Sequence, residues 1–93
     1  MASYNVLITK SAARELEAIP NRDRKRLVSR IASLADDPRP VGCEKLTGDD
    51  KYRLRQGDYR ILYEIVDDAL IVTVVRIGNR GGRVSAIDRK SVV

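Results

Sequence analysis

The stretch KYRLRQGDYRILYEI, residues 51–65, constrains the fold most, because it predicts two antiparallel strands around a two-residue turn. Gly57-Asp58 suits such a turn, since glycine at the first central position adopts the positive φ that a type II′ turn requires. The turn sets Arg55 directly opposite Arg60. Because strand side chains alternate, the hairpin divides into an apolar face and a cationic face. The apolar face holds Tyr52, Leu54, Ile61, Tyr63 and Ile65, and the cationic face holds Arg53, Arg55 and Arg60.

The residues before this hairpin predict one strand and two helices. YNVLI (4–8) is typical of a strand, and Thr9 or Ser11 is a suitable cap for a first helix that Pro20 ends. Asn21 is a good N-cap for a second helix, which we expect to run to about Ala35. The apolar stripe of this helix comprises Leu27, Ile31 and Leu34, widened by Val28, Ala32 and Ala35.

The residues after the hairpin predict one more long strand. Asp67-Asp68 suits a second two-residue turn before a strand over 69–77, which would place Val75 beside Arg60. GNRGGR follows as an irregular basic segment, and VSAIDRK predicts a last strand or a helical turn. The order β-α-α-β-β-β predicts an α+β fold, with two N-terminal helices packed on one face of a small, mainly antiparallel sheet. We expect a single domain over residues 1–93.

Several chemistries are excluded by the residues that the sequence lacks. It contains no His and one Cys, Cys43, so an internal disulfide, a His general base and a zinc site are all ruled out. Its three Asp-Asp pairs lie at turns or helix ends, where Asp is favoured for local hydrogen bonding. We therefore expect no metal and no cofactor. No apolar run resembles a signal peptide or is long enough to span a bilayer, so a soluble cytoplasmic protein without membrane contact is expected.

The charge of the chain favours a polyanionic partner. The net charge is +5 and the pI is about 9.7. Charge is also segregated: residues 1–35 carry +4, residues 36–68 carry −3 and residues 69–93 carry +4. Like charges opposite each other on a sheet cost about 0.2–1 kcal/mol, a cost that an anion bound between Arg55 and Arg60 would relieve. The alternative is an ordinary solvated face, with Glu64 and nearby aspartates balancing the arginines.

Arginine is the functional group that remains for catalysis. A guanidinium group binds phosphate through two parallel hydrogen bonds and stabilises the charge that develops on a phosphoryl group under attack. In RNA the 2′-hydroxyl supplies an internal nucleophile, so cleavage needs neither a metal nor a His. Arg80 and Arg83 follow the last long strand and are placed to close over the cluster. Among the tyrosines only Tyr59, beside the turn, is available to stack on a base. Binding of a polyanion without turnover is the milder alternative.

Three segments of the chain resemble the RelE branch of the RelE/ParE superfamily of type II toxins: ITKSAARELEAIP, EKLTGDDKYRLRQGDYRILYEI and DDALIVTVVRIGNR. The resemblance covers nearly the whole chain, and GDYRILYEI is its most specific part. It implies a compact RelE-like fold and inhibition of translation by cutting mRNA in the ribosomal A site. Cleavage in that family uses the 2′-hydroxyl and leaves a cyclic phosphate and a 5′-hydroxyl. It also implies a cognate RelB-like antitoxin that wraps and neutralises the toxin in a hetero-oligomer.

The resemblance also implies roles for individual residues. Arg53 and Arg55 match basic strand residues that orient the RNA or act in proton transfer. Arg60 matches the strand arginine after the turn, and Arg80 matches the arginine after the last long strand. The expected RNA or ribosome contacts outside this catalytic set are Lys45, Lys51, Tyr59 and Arg83.

Two departures leave alternative functions open. The RelE branch usually carries a Tyr shortly after the Arg80 position, where this chain has Val84 or Ala86. Loss of a Tyr that takes part in proton transfer costs about 10²–10⁴-fold, so weak cleavage, or a toxin that only binds its antitoxin, is one alternative. A ParE-type toxin that poisons DNA gyrase without nuclease chemistry is the other. An apolar residue commonly occupies the Arg60 position in that branch, so Arg60 argues against it.

Overall fold

The computed structural model describes residues 3–46 and 50–79, which form two helices and five strands. The elements are β1 (Asn5–Ile8), α1 (Lys10–Glu17), α2 (Asn21–Ser33), β2 (Glu44–Lys45), β3 (Lys51–Gln56), β4 (Tyr59–Val66) and β5 (Ile71–Asn79). The strands form one sheet in the order β1-β5-β4-β3-β2. The β1–β5 pair is parallel and the other three pairs in these described residues are antiparallel. The predicted α+β architecture is confirmed.

The core lies between the two helices and one face of the sheet. The helices contribute Ala12, Ile19, Leu27, Ile31 and Leu34, and the sheet contributes Tyr52, Leu54, Ile61, Tyr63, Ile65, Val72, Val74 and Ile77. The predicted apolar face of the hairpin is therefore the face that the helices cover. Val28 and Ala32 were expected to widen the buried stripe of α2, but both are exposed. The part of α2 that faces the sheet is the stripe of Leu27, Ile31 and Leu34, and these two residues lie beside it.

The helix ends follow local capping chemistry, with one correction. Thr9 caps α1, because its Oγ1 accepts a hydrogen bond from the Ala12 N–H at 3.2 Å. The cap of α2 is Pro20, not Asn21 as predicted. The Pro20 carbonyl already accepts the Arg24 N–H at 2.8 Å, so Asn21 lies inside the first turn. The helix ends at Ser33 with Leu34 as its C-cap, two residues before the predicted end.

The β3–β4 hairpin has the predicted register. Arg55 pairs with Arg60, and the flanking pairs follow from the two-residue turn. Gly57 has a φ of +62°, which is the value that the first central residue of a type II′ turn requires. The alternation of buried and exposed residues along both strands then follows from the pleat.

The β4–β5 connection differs from the prediction. The strands are joined by four residues, 67–70, closed by a 3.1 Å hydrogen bond from the Leu70 N–H to the Asp67 carbonyl. The last strand therefore begins at Ile71 instead of residue 69. A β-bulge at Leu62/Tyr63 adds a further shift, so Arg60 pairs with Gly78 instead of Val75. The expectation for 80–93, including VSAIDRK, lies outside the described residues.

A polar clamp joins the loop after α2 to the β4–β5 turn. Arg39 donates to both carboxylate oxygens of Asp67, at 3.2 and 2.9 Å, and its guanidinium lies 5.2 Å from the centre of the Tyr52 ring. Asp67 also accepts a 2.7 Å hydrogen bond from the Tyr4 hydroxyl. Deeper in the core, the Tyr63 hydroxyl donates to the Pro38 carbonyl at 2.8 Å. These contacts fix the loop against the sheet. Neither helix in the described part of the chain is long and apolar enough to cross a membrane.

Candidate anion-binding site

The arginine cluster, Arg53, Arg55 and Arg60, lies on the sheet face that points away from α1 and α2. Pairing in the sheet sets Arg55 opposite Arg60, and Arg60 in turn opposite Gly78 of β5. Arg53 lies two residues from Arg55 on the same face, opposite Leu62. Two adjacent antiparallel strands thus bring three guanidinium groups to one surface, with a residue that lacks a side chain beside them.

Arg53 is the member of the cluster that has an acidic partner. Its Nη2 and Nε donate to Oε1 of Glu44 at 2.7 and 3.0 Å. Glu44 lies opposite Arg53 on β2, a two-residue strand that the sequence did not predict. The hydrogen bond and charge of Arg53, with smaller contributions from Arg55 and Arg60, lower the pKa of Glu44 below its usual range. Arg53 is therefore partly neutralised at neutral pH.

Arg55 and Arg60 have no such partner among the described residues. Arg55 is exposed, whereas Arg60 is half-buried. The Nε of Arg60 is buried, and no hydrogen-bond acceptor within the described ranges contacts it. A buried donor without a partner costs about 1–3 kcal/mol. An anion at the cluster would meet the charges of Arg60 and Arg55 together, and a small shift of the Arg60 side chain would let its Nε donate to the same anion.

Gly78 leaves space next to Arg60. A Cβ built on this residue would meet no atom within 4 Å in the described structure. A glycine in the interior of a strand often marks a place where a ligand approaches the backbone closely. The sequence did not predict this position, because the predicted strand ended at residue 77 with Val75 beside Arg60, and Gly78 was assigned to the irregular segment that follows.

The other predicted contact residues occupy different positions. Lys51 lies on the cluster's face, with its Nζ 3.9 Å from an Oε2 of Glu64. Lys45 lies on the edge strand β2, opposite Tyr52, and therefore on the helix side of the sheet. Tyr59 also lies on the helix side, where its ring packs against the core and its hydroxyl is 3.5 Å from Asp23. Arg80 and Arg83 lie outside the described residues.

The pKa of Tyr59 reflects this position. Burial is the main cause that raises it, and the negative charge of Asp23 and their hydrogen bond raise it further. Tyr59 is therefore a neutral phenol at physiological pH and is held away from the arginine cluster. In the described part of the chain no group of three His, Cys, Asp or Glu residues is arranged to bind a metal ion.

Comparison with known proteins identifies the family. The family model described as "ParE toxin of type II toxin-antitoxin system, parDE" matches residues 6–83. The chain belongs to the RelE/ParE superfamily of type II toxins. The putative toxin RelE1 of Methanocaldococcus jannaschii is 30% identical to this toxin over 83 residues, which cover 85% of this chain and 92% of that protein.

Two further comparisons extend the family assignment to named RelE proteins. The mRNA interferase toxin RelE of Escherichia coli (strain K12) is 26% identical to this toxin over 81 residues, which cover 84% of each protein. The archaeal RelE–RelB complex from Pyrococcus horikoshii OT3 contains a chain that superposes with a TM-score of 0.78 at 30% identity. That match covers 86% of this toxin and 98% of the archaeal chain. The toxin therefore has the RelE fold.

Proposed function

We propose that this toxin is a metal-independent endoribonuclease that cuts mRNA in the ribosomal A site and so inhibits translation. The observation that carries the proposal is the Arg55–Arg60 pair, which has no acidic partner in the described residues and includes a buried, unsatisfied Nε. The similarity to the mRNA interferase RelE of E. coli supports the same reaction class.

The proposed reaction needs only the RNA and positive charge. The 2′-oxygen attacks the adjacent phosphorus and loses its proton, while the bond from phosphorus to the 5′-oxygen breaks and that oxygen gains a proton. The products are a 2′,3′-cyclic phosphate and a 5′-hydroxyl. Arg60 and Arg55 stabilise the extra negative charge on the phosphoryl oxygens in the transition state, and Arg80 completes the set. Arg53, held by Glu44, orients the RNA strand beside Arg55 and Arg60.

Three partners follow from this proposal. The ribosome and its mRNA are the substrate assembly, and the site of action is the cytoplasm. The proposed contact residues are Lys45, Lys51, Tyr59 and Arg83, of which Lys45 and Tyr59 lie on the helix side, away from the arginine cluster. A cognate RelB-like antitoxin is the third partner. Its support is the RelE–RelB complex of P. horikoshii, a chain of which this fold matches, and the net charge of +5 of this toxin, which suits an acidic partner.

A reconstituted translation reaction tests the proposal. Arg60→Ala should lower the rate of codon-specific cutting by about 10²–10³-fold, because it removes a donor that stabilises transition-state charge. The measurement is the amount of new 5′-hydroxyl ends mapped on a defined message. Arg22→Ala is the matched control, since it removes an equally charged, exposed side chain from α2. Undiminished cutting by the Arg60 variant, at unchanged thermal stability, would refute the assignment.

The ParE description of the matching family model makes gyrase poisoning the second candidate function. A DNA-supercoiling assay with purified toxin separates the two, since inhibition of supercoiling without new RNA ends would favour a gyrase poison. A toxin that fails both assays and does not arrest growth on induced expression would be an attenuated member that binds only its antitoxin.

A further inference from the structure

A second cationic surface lies on the helix side of the sheet, between α2 and the end of β3. It is a groove of about 430 Å³, lined by Lys25, Arg26, Ser29, Arg30, Ser33 and Gln56. Three of these side chains are cations, two are hydroxyls and one is an amide, and no acidic residue of the described part of the chain lines the groove. The helical members are three or four residues apart, so they share one face of α2.

Arg30 is the groove residue with an unsatisfied hydrogen-bond donor. Its Nε is buried without a hydrogen-bond partner in the described structure, as is that of Arg60 in the cluster. The neighbouring Ser33 hydroxyl donates to the Arg30 carbonyl at 2.6 Å and does not contact this Nε. Buried polar groups in folded proteins are normally hydrogen-bonded. An anion in the groove would pair with the charge of Arg30, and a small shift of the side chain would let its Nε donate to that anion.

The limits of the groove narrow the choice of ligand. An adjoining hollow of about 190 Å³ shares Arg26 and Gln56 but includes Asp23 and Asp58, so the site for an anion ends there. Within residues 3–46 and 50–79 no aromatic side chain lines the groove itself, and stacking on bases is therefore not its means of binding. Arg26 and Arg30 are one helical turn apart, about 6 Å along the axis, which suits regularly spaced phosphates better than a single carboxylate.

The groove and the arginine cluster lie at the same end of the sheet. Arg55 and Gln56 are consecutive on β3 and point to opposite faces, Arg55 to the cluster and Gln56 to the groove. We propose that the α2 groove binds the phosphodiester backbone of RNA at a second site, distinct from the phosphate that is cleaved. The lining of the groove supports a polyanion, and the choice of RNA over another polyanion rests on the proposed ribonuclease function. The groove residues are positioning residues and take no part in bond breaking.

Binding to an uncleavable RNA tests the proposal apart from catalysis. The probe is a fluorescent single-stranded oligonucleotide with 2′-O-methyl groups, which lacks the nucleophile. The groove variant is Arg26→Ala with Arg30→Ala, and the control is Arg14→Ala with Arg22→Ala, an equal loss of charge from exposed positions outside the groove. The slope of log K against log salt changes by about 0.7 for each phosphate contact to a single strand. We expect the groove variant to reduce the slope by about 1.4 and the control to leave it unchanged.

A second arm identifies the source of the RNA. Co-sedimentation with message-programmed ribosomes is measured for the same variants. A groove effect on the oligonucleotide assigns the groove to the message, whereas an effect on ribosome binding alone assigns it to ribosomal RNA. Both results support the proposal. Equal behaviour of groove and control variants in both arms overturns it.

Two further measurements distinguish RNA binding in the groove from a loss of folding and from the proposed cleavage reaction. Ser29→Glu adds a carboxylate to the groove and keeps both arginines, and Ala32→Glu adds the same charge to an exposed position of α2 that does not line the groove. Only the first should weaken RNA binding. The cutting assay on wild-type toxin tests the ribonuclease separately. Absence of cutting together with the groove effect would reject the reaction and retain the groove.

Discussion

At the residue scale, Glu44 controls how much of the arginine cluster is available to an anion. Because Arg53 holds the pKa of Glu44 below its usual range, the carboxylate stays charged at neutral pH and remains paired. Pairing in water-exposed positions is weak, so an RNA phosphate can compete for Arg53. Sequence reasoning placed Arg53 correctly on the cationic face, but it did not find Glu44, because two residues are too few for a strand pattern.

Glu44→Gln should therefore strengthen RNA binding. The substitution frees Arg53 and removes a negative charge from the surface that meets phosphate. We expect the salt slope for the uncleavable oligonucleotide to rise by about 0.7, the contribution of one added phosphate contact. Glu17→Gln is the control, because it removes an equal charge from an exposed position of α1, on the other side of the sheet from the cluster. Weaker RNA binding by the Glu44 variant would mean that the Glu44–Arg53 pair itself is needed to orient Arg53.

At the element scale, the two hairpins show why one register was predictable and the other was not. The β3–β4 turn is specified by two residues, and Gly57 meets the demand for positive φ. The β4–β5 register depends on a four-residue turn and on a bulge, and Asp67 of the turn is held by Tyr4 and Arg39, which are distant in sequence. Leu70, a residue that disfavours positive φ, has a φ of 55° there. No local sequence pattern predicts a positive φ at this leucine.

Two glycines of this sheet make a matched pair for substitution by alanine. Gly57→Ala should lower the free energy of unfolding by about 1 kcal/mol, because an alanine is strained at positive φ. Gly78→Ala should change it by less than about 0.5 kcal/mol, since the added methyl meets no atom within 4 Å in the described structure. Urea unfolding measures both. An equal loss for the two variants would contradict the assigned role of the turn.

At the scale of the whole molecule, the helices cover one face of the sheet, and the arginine cluster lies on the other face. The helices cover the apolar face, and the polar clamp fixes the loop after α2 beside the far end of the sheet. The element order and the apolar pattern were enough to predict this division. The clamp was not predictable, because Arg39 and Asp67 are 28 residues apart and neither belongs to a periodic pattern.

Tyr63 is the buried link between that loop and the core, and its hydroxyl makes a testable contribution to stability. Burial raises the pKa of Tyr63, so the hydroxyl stays protonated and donates to the Pro38 carbonyl at 2.8 Å. Tyr63→Phe removes the donor and leaves a buried carbonyl without this partner, which should cost about 1–3 kcal/mol in urea unfolding. Tyr4→Phe is the control, because its hydrogen bond to Asp67 is exposed and water replaces it. Equal stability of the two variants would show that water reaches Pro38 and that the loop is held by the Arg39–Asp67 pair instead.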